Sequence, residues 1–147
     1  MLGGRVRRLL AMPSQERWLL ARCVAVVAAT RLALWIAPYR VVRDATDRLS
    51  RPVSGRRLPP GEADRIAANV ERAGRVIRDA SCLTQALAAR VLMRRNGLDA
   101  RLRLGVRRGR SGSMEAHAWI ESDGRVVVGA GEIGSFAPLR GPVRDRD

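Results

Sequence analysis

Two side chains in this 147-residue sequence have the types needed for covalent acyl transfer: Cys82, one of two cysteines, and His117, the only histidine. Cys82 is predicted in the first turn of a helix, where unpaired backbone N–H groups and the helix dipole favour a thiolate. His117 lies in a run typical of a β-strand, from Glu115 to Glu121. A thiol with an imidazole is the minimum for a cysteine nucleophile and its general base. The N–H groups at the helix start are candidates for an oxyanion hole.

The second cysteine, Cys23, belongs to an apolar helical stretch and is predicted to act as a small buried hydrophobe. Two cysteines in such different segments do not make a disulfide framework. A lone thiol with a lone histidine fits a reducing compartment, so we expect a cytoplasmic protein. No cleavable signal peptide is predicted, because the polar segment at residues 12–17 interrupts any apolar continuation of the basic start.

Helical patterns flank the predicted nucleophile. The helix that carries Cys82 is predicted to run to Asn96, with Ser81 as its N-cap and Gly97 ending it at a positive φ. Upstream, apolar residues at spacings of four, three and four predict an amphipathic helix from Glu62 to Arg78. Its Arg-rich polar face is interpreted as solvated charge.

Strand patterns follow. Residues 101–106 alternate with period two, residues 115–121 form a second strand, and residues 125–128 form a return strand after an Asp123-Gly124 turn. Residues 107–113 are expected to form a basic turn. Helices followed by an antiparallel meander are an α+β order. We place a catalytic domain at residues 62–140 and an N-terminal helical extension at residues 1–52, with a linker at residues 54–61.

The extension contains the most apolar stretch, Trp18 to Pro38, which is long enough to raise the question of a membrane span. Arg22 and Arg31 lie on opposite sides of this helix, and a lipid-facing arginine costs roughly 2.5–3.5 kcal/mol near the centre. We therefore predict a helix that docks on the protein, with Ser14 as its N-cap and Pro38 as its stop. A peripheral membrane contact or a partner-binding face stays open. A shorter helix is predicted at residues 41–49.

The third member of the site is less clear from the sequence. A two-residue turn at residues 123–124 puts Ala130 opposite His117, so no carboxylate lies directly opposite the imidazole. Glu132 lies one diagonal step away on the same face, at about 7–8 Å, and is the first candidate to orient the ring. Glu115 is the second candidate. Glu121 is roughly 13 Å along the strand and is too far.

From about Pro13 to Leu139 the chain resembles the stand-alone leader peptidase of lasso peptide biosynthesis, the transglutaminase-like half of the maturation protease. The similar pieces are Pro13-Ser14-Gln15-Glu16-Arg17, Arg31-Leu32-Ala33-Leu34, Ser81-Cys82-Leu83, Ala86-Leu87-Ala88, Gly97-Leu98, Leu104-Gly105-Val106, Ala116-His117-Ala118-Trp119-Ile120-Glu121, Asp123-Gly124-Arg125-Val126-Val127 and Phe136-Ala137-Pro138-Leu139.

The resemblance implies a papain/transglutaminase-like fold, with a central helix against an antiparallel sheet. It also implies a Cys-His-Asp cysteine protease that removes the leader from a ribosomally made precursor. Cys82 matches the nucleophile and His117 the base. The acid is expected about where Gly129 stands, so the sequence departs from the pattern there and Glu132 is the nearest substitute.

The resemblance further implies three partners: the precursor's leader peptide, a small leader-recognition protein and an ATP-using macrolactam synthetase. No cofactor and no metal are expected. The net charge of +14, with arginine as the only basic residue type besides His117, suits an acidic leader. The alternatives are a transglutaminase-like acyl or amide transferase and a basic, non-enzymatic module that binds membrane or nucleic acid. Nucleic acid is not expected, because no aromatic residues interleave the basic positions.

Overall fold

A run of helices precedes a sheet along the chain, in a computed structural model that describes residues 7, 10–52, 58–131 and 133–139. Within these residues the elements are α1 Ser14–Ile36, α2 Tyr39–Leu49, α3 Glu62–Val76, α4 Cys82–Arg95, β1 Arg101–Arg108, β2 Met114–Ser122, β3 Arg125–Val128, a 3-10 turn at Ile133–Ser135, and β4 Ala137–Pro138. The predicted α+β order is confirmed.

Helix α4 is the buried centre of the fold, as its composition predicts. Its N-cap is Ser81, whose Oγ accepts a hydrogen bond from the Thr84 N–H at 3.3 Å. Gly97 follows its last turn with φ of +77°, also as predicted. The helix packs against the other three helices and against β1, β2 and β3. Truncating one of its fully buried side chains, such as Leu87, to alanine is expected to cost about 2–5 kcal/mol.

The sheet has the strand order β3-β2-β1-β4, and the neighbouring strands are antiparallel. Alternation gives it two faces. Leu102, Ala118 and Ile120 are buried on the face toward α4. His117 and Trp119 alternate with them and therefore belong to the other face.

The β2–β3 hairpin forms at the predicted turn. Asp123 and Gly124 have φ of +49° and +78°, the left-handed conformation that a tight two-residue hairpin loop requires. Ser122 pairs with Arg125, as the two-residue loop predicts.

Beyond this turn the predicted register is wrong. Ile120 pairs with Val128, and a bulge leaves Val127 without a partner across the strand. Val128 therefore enters the core beside Ile120 instead of sharing the face of His117. The position predicted for Ala130, opposite His117, is shifted by one residue. The bulge exchanges Val127 for Val128 as the residue opposite Ile120, so every residue after it changes face.

Several helix boundaries also differ from the predicted ones by one or two residues. Pro13, not Ser14, occupies the N-cap position of α1, and no side chain caps that end. Pro38 occupies the N-cap position of α2, so one proline separates two helices. Helix α3 ends at Val76, and β1 continues to Arg108, two residues into the segment predicted as a turn.

Helix α1 packs along one face against α3 and α4. Its buried residues are Cys23, Val27 and Thr30, and Glu16 accepts a hydrogen bond from Arg65 of α3. By length and composition alone α1 could cross a membrane. In this fold its buried face packs against the helix that carries the predicted nucleophile.

Candidate active site

A cavity of about 300 Å³ opens at the N-terminus of α4, between α3 and the end of β3. It is lined by Glu71, Gly74, Arg75, Cys82, Gln85, His117, Val128 and Gly129. The fold therefore brings the two residues with the predicted chemistry, Cys82 and His117, to the walls of one cavity. One comes from the start of a helix and the other from the middle of a strand.

Cys82 is the first residue of α4 and is half-buried. The Thr84 N–H donates a hydrogen bond to Ser81 Oγ, and the Gln85 N–H donates one to the Ser81 carbonyl oxygen at 3.0 Å. In the described part of the chain no acceptor binds the N–H groups of Cys82 and Leu83. Such free donors at a helix start can stabilise an oxyanion that forms beside the thiol.

The other thiol is in a different environment. Cys23 is fully buried in α1, and this burial raises the pKa of its thiol to about 11, with the nearby Arg22 opposing the shift. A protonated thiol without solvent access is not a nucleophile at neutral pH. The geometry agrees with the interpretation of Cys23 as a packing residue.

The imidazole of His117 is held by a backbone carbonyl. Its Nε2 lies 2.8 Å from the Gly129 carbonyl oxygen. A carbonyl can only accept, so Nε2 carries the proton and Nδ1 is the nitrogen left to act as a base in the neutral ring. No hydrogen bond joins His117 to Cys82 among the described residues. The pair shares a cavity but is not in bonded contact.

Aromatic rings fix the plane of this imidazole. Trp119 stacks with His117 at a centroid distance of 6.1 Å, and Phe136 lies on it at 5.2 Å. Gly105, the partner of His117 on β1, leaves room for both rings, because a Cβ there would lie 2.9 Å from the Trp119 ring and 3.0 Å from Phe136. Arg107 covers Phe136 with its guanidinium 4.5 Å from the ring centroid, a cation–π contact.

Gly129 directs its carbonyl oxygen toward His117 in a backbone conformation that is unfavourable for residues with a side chain. Its φ is +76°. A Cβ would lie 2.8 Å from the Ala118 carbonyl oxygen and 3.2 Å from the Trp119 Cβ. An aspartate cannot take this position without moving β3 or β2. One signal of this is present in the sequence: a glycine stands where the resemblance expects the acid.

The carboxylates that are candidates for orienting His117 have different surroundings. Glu132 lies outside the described residues. Glu115 accepts a hydrogen bond from Arg107 at 2.6 Å. Glu121 accepts hydrogen bonds from Arg103 and from Trp119 Nε1. Burial raises the pKa of its carboxyl group, but these hydrogen bonds outweigh the effect of burial, so the pKa lies below its usual value. Neither of the two described carboxylates binds His117.

A further group in the cavity, Gln85, was not found by sequence reasoning. Its side-chain Nε2 donates to the Ala80 carbonyl at 3.0 Å. Gly74 makes room for it, because a Cβ on Gly74 would lie 2.5 Å from the Gln85 Cδ. The amide is thus fixed beside Cys82, one helical turn along α4.

An exposed ion pair joins the start of β3 to the start of α3, outside the lining of the cavity. Arg125 of β3 donates two hydrogen bonds of 2.7 Å to Asp64 of α3. The bonds from Arg125 lower the pKa of Asp64, although both groups are exposed to solvent. Because both side chains are exposed to solvent, the pair adds little to the packing of β3 against α3.

A family model described as the transglutaminase-like superfamily matches residues 20–141, most of the chain. The chain belongs to the transglutaminase-like superfamily. Searches of curated proteins and of solved structures give no significant match. The predicted papain/transglutaminase-like fold is confirmed, with a central helix against an antiparallel sheet.

Membership of the transglutaminase-like superfamily suggests cysteine protease or acyltransferase activity. Both activities require a thiol and a base on one cavity, and both pass through an acyl-enzyme. Among the described residues no group of three His, Cys, Asp or Glu side chains is placed to hold a metal ion.

The two cysteines are expected to differ sharply in alkylation. At pH 8 a thiol of pKa about 11 is ionised in roughly one molecule in a thousand, and Cys23 is also closed to solvent. Iodoacetamide should therefore add one carbamidomethyl group per folded chain, at Cys82. Peptide mapping by mass spectrometry locates it. Labelling of Cys23 at a comparable rate, with the fold intact, would contradict the assigned environments.

Gly129→Ala is expected to destabilise the fold by about 2–4 kcal/mol, because an L-residue is strained at this φ and its Cβ meets the Ala118 carbonyl. Urea unfolding measures the change. Gly131→Ala is the matched control, since its Cβ meets nothing within 4 Å and its φ is not positive. Equal unfolding midpoints for both variants would show that Gly129 does not hold this conformation.

Proposed function

We propose that the protein is a cysteine peptidase that removes the leader from a ribosomally made lasso peptide precursor before the macrolactam forms. The observation that carries the proposal is the shared cavity of Cys82 and His117, with the imidazole bonded through Nε2. The superfamily match and the motifs around both residues agree with it. The hydrolytic reaction and the substrate are the proposed parts.

The acylation step uses three groups of the site. His117 Nδ1 takes the proton of the Cys82 thiol, and the thiolate attacks the carbonyl carbon of the scissile peptide bond. The oxygen gains negative charge and is met by the N–H groups of Cys82 and Leu83. Collapse of the tetrahedral intermediate breaks the C–N bond, and the imidazolium returns its proton to the leaving amine. The leader remains on Cys82 as a thioester.

Hydrolysis repeats the steps with water. His117 Nδ1 takes a proton from water as the oxygen attacks the thioester carbonyl, and Cys82 leaves as a thiolate that is reprotonated by the imidazolium. Throughout, the bond from Nε2 to the Gly129 carbonyl keeps the same nitrogen turned away from the reaction. That carbonyl also stabilises the imidazolium, in the place where an acid usually does.

The cavity and the surface charge suit a peptide chain. The cavity is shallow and open to solvent, so it fits a few residues of an extended substrate. The cavity wall carries one acidic and one basic side chain, Glu71 and Arg75, so the net charge of +14 is what favours an acidic leader. We further propose that a small leader-recognition protein presents the precursor, and that a macrolactam synthetase takes up the freed core peptide in the cytoplasm.

The second candidate is an acyl or amide transferase. It rests on the same cavity and the same superfamily, because an amine can replace water in the attack on the thioester. The two reactions differ in the mass of the leader product. Hydrolysis leaves a free carboxylate, whereas transfer to an amine adds the mass of that amine minus water.

Cys82→Ala and His117→Ala are each expected to abolish leader release, with a loss of about 10³-fold or more, because each removes one half of the acyl-transfer pair. Purified protein, synthetic precursor and mass spectrometry provide the assay, with unfolding midpoints as a check on the fold. Cys23→Ala is the matched control and should retain activity with at most a packing cost.

Precursor cleaved at the wild-type rate by the Cys82→Ala protein would end the nucleophile assignment. If neither Cys82→Ala nor His117→Ala changes what the protein does, and the protein binds nucleic acid in a salt-dependent way, the results would instead favour the non-enzymatic binding module.

The orienting group is tested by two matched substitutions, Glu132→Gln and Glu115→Gln. Since the Gly129 carbonyl already accepts from Nε2, we expect each variant to lose less than about tenfold in rate with peptide binding unchanged. A fall of roughly 10⁴-fold in kcat for Glu132→Gln alone would assign the orienting role to Glu132. The same fall for Glu115→Gln alone would assign it to Glu115.

A further inference from the structure

Helix α1 has an exposed face that is apolar along almost its whole length. The exposed members are Trp18, Ala21, Arg22, Ala25, Ala28, Ala29, Leu32, Trp35 and Ile36, which we call the outer face of α1. They lie on the side opposite Cys23, Val27 and Thr30, which are buried against the domain. Arg22 is the only charged residue in the outer face. Nothing in the described part of the chain covers it.

Large side chains stand at both ends of the outer face. Trp18 is 71% exposed at one end, and Trp35 and Ile36 are 76% and 73% exposed at the other. The two tryptophans lie about 25 Å apart at the rise of an α-helix. Exposed indoles are costly in water, but an indole suits the boundary between lipid headgroups and acyl chains, where its ring is apolar and its N–H is wet.

Arginines border this face. On the helical wheel Arg17 lies about 100° to one side of Trp18 and Arg22 about 40° to the other. Both are exposed, as are Arg40 and Arg48 of α2, and none of the four has a carboxylate partner among the described residues. A long arginine side chain can lie along an apolar surface while its guanidinium binds a phosphate group.

The carboxylates of α1 and α2 do not offset this charge, because arginines occupy them. Glu16 is bound by Arg65 of α3, and Asp47 by the buried Arg90 of α4. Asp44 pairs with the adjacent Arg43. Among the described residues, Arg17 and Arg22 therefore place unpaired positive charge beside an apolar strip, and Arg40 and Arg48 add exposed, unpaired arginines on α2. This combination suits contact with an anionic membrane surface.

We propose that the outer face of α1 binds the surface of an anionic lipid bilayer, with its apolar side chains at the headgroup boundary and its arginines on lipid phosphates. The opposite face stays on the domain, since a spanning helix would have to expose Cys23 and Val27 and break the Glu16–Arg65 pair. A second copy is a poor occupant, because two chains of +14 repel each other. The proposal does not depend on the peptidase activity.

Vesicle sedimentation of the full chain tests this. We use vesicles of phosphatidylcholine alone and vesicles with about a third phosphatidylglycerol. Binding is expected only to the anionic vesicles and is expected to fall with salt. The emission of Trp18 and Trp35 should shift to the blue, whereas Trp119 is already buried at 3% exposure.

Variants distinguish vesicle binding through the outer face of α1 from binding that depends only on the net charge of the protein. Trp18→Ala with Trp35→Ala should weaken vesicle binding by about tenfold or more, and Arg22→Glu by about fivefold or more. Met114→Ala is the matched control, because Met114 is 66% exposed on β2 and lies outside the outer face. The unfolding midpoints of all variants should stay within a degree or so of wild type, since the changed side chains are exposed.

Four results would overturn the proposal. They are the absence of vesicle binding, binding that the double tryptophan variant leaves unchanged, equal binding to neutral vesicles, and retention in the pellet after a carbonate wash, which indicates a spanning helix. A dimer in light scattering that the double tryptophan variant dissolves would assign the outer face to a contact between copies instead.

Discussion

The bond from His117 Nε2 to the Gly129 carbonyl is the constraint on which the site depends. It decides which ring nitrogen is free, and so which nitrogen can serve as a base. The bond exists because a bulge at Val127 turns Val128 into the core and brings the next carbonyl over β2. Trp119 and Phe136 pack near the ring on this side of the sheet, with centroid distances of 6.1 and 5.2 Å. A positioning task usually given to an acid is here supported by backbone geometry.

The burial of α4 determines the position of Cys82. A helix surrounded by three helices and a sheet cannot rotate or slide without opening the core, so its first turn is fixed in space. The Ser81 cap leaves two N–H groups directed outward beside Cys82. The same packing keeps the other thiol, Cys23, away from solvent. The core therefore places the predicted nucleophile at its edge and the second thiol in its interior.

Most of the fold could be predicted from patterns among residues that are close in sequence. Helix spacing, the Ser81 cap, the positive φ at Gly97 and the Asp123-Gly124 turn depend on neighbours in sequence, and each was predicted from it. The bulge was missed because Val127 and Val128 are consecutive valines, and the local sequence pattern does not determine which of them pairs with Ile120. The orienting carbonyl was missed because a backbone group leaves no residue type to recognise. The search for a third member therefore went to side chains such as Glu132, and the role of that residue stays a prediction.

The most direct measurement is the capture of the acyl-enzyme. Wild-type protein is mixed with precursor, quenched in acid at short times and examined by intact-mass spectrometry and peptide mapping. We expect the protein mass to rise by that of the leader minus one water, with the thioester on Cys82. Leader released with no covalent adduct at any quench time, or an adduct on another residue, would contradict the mechanism.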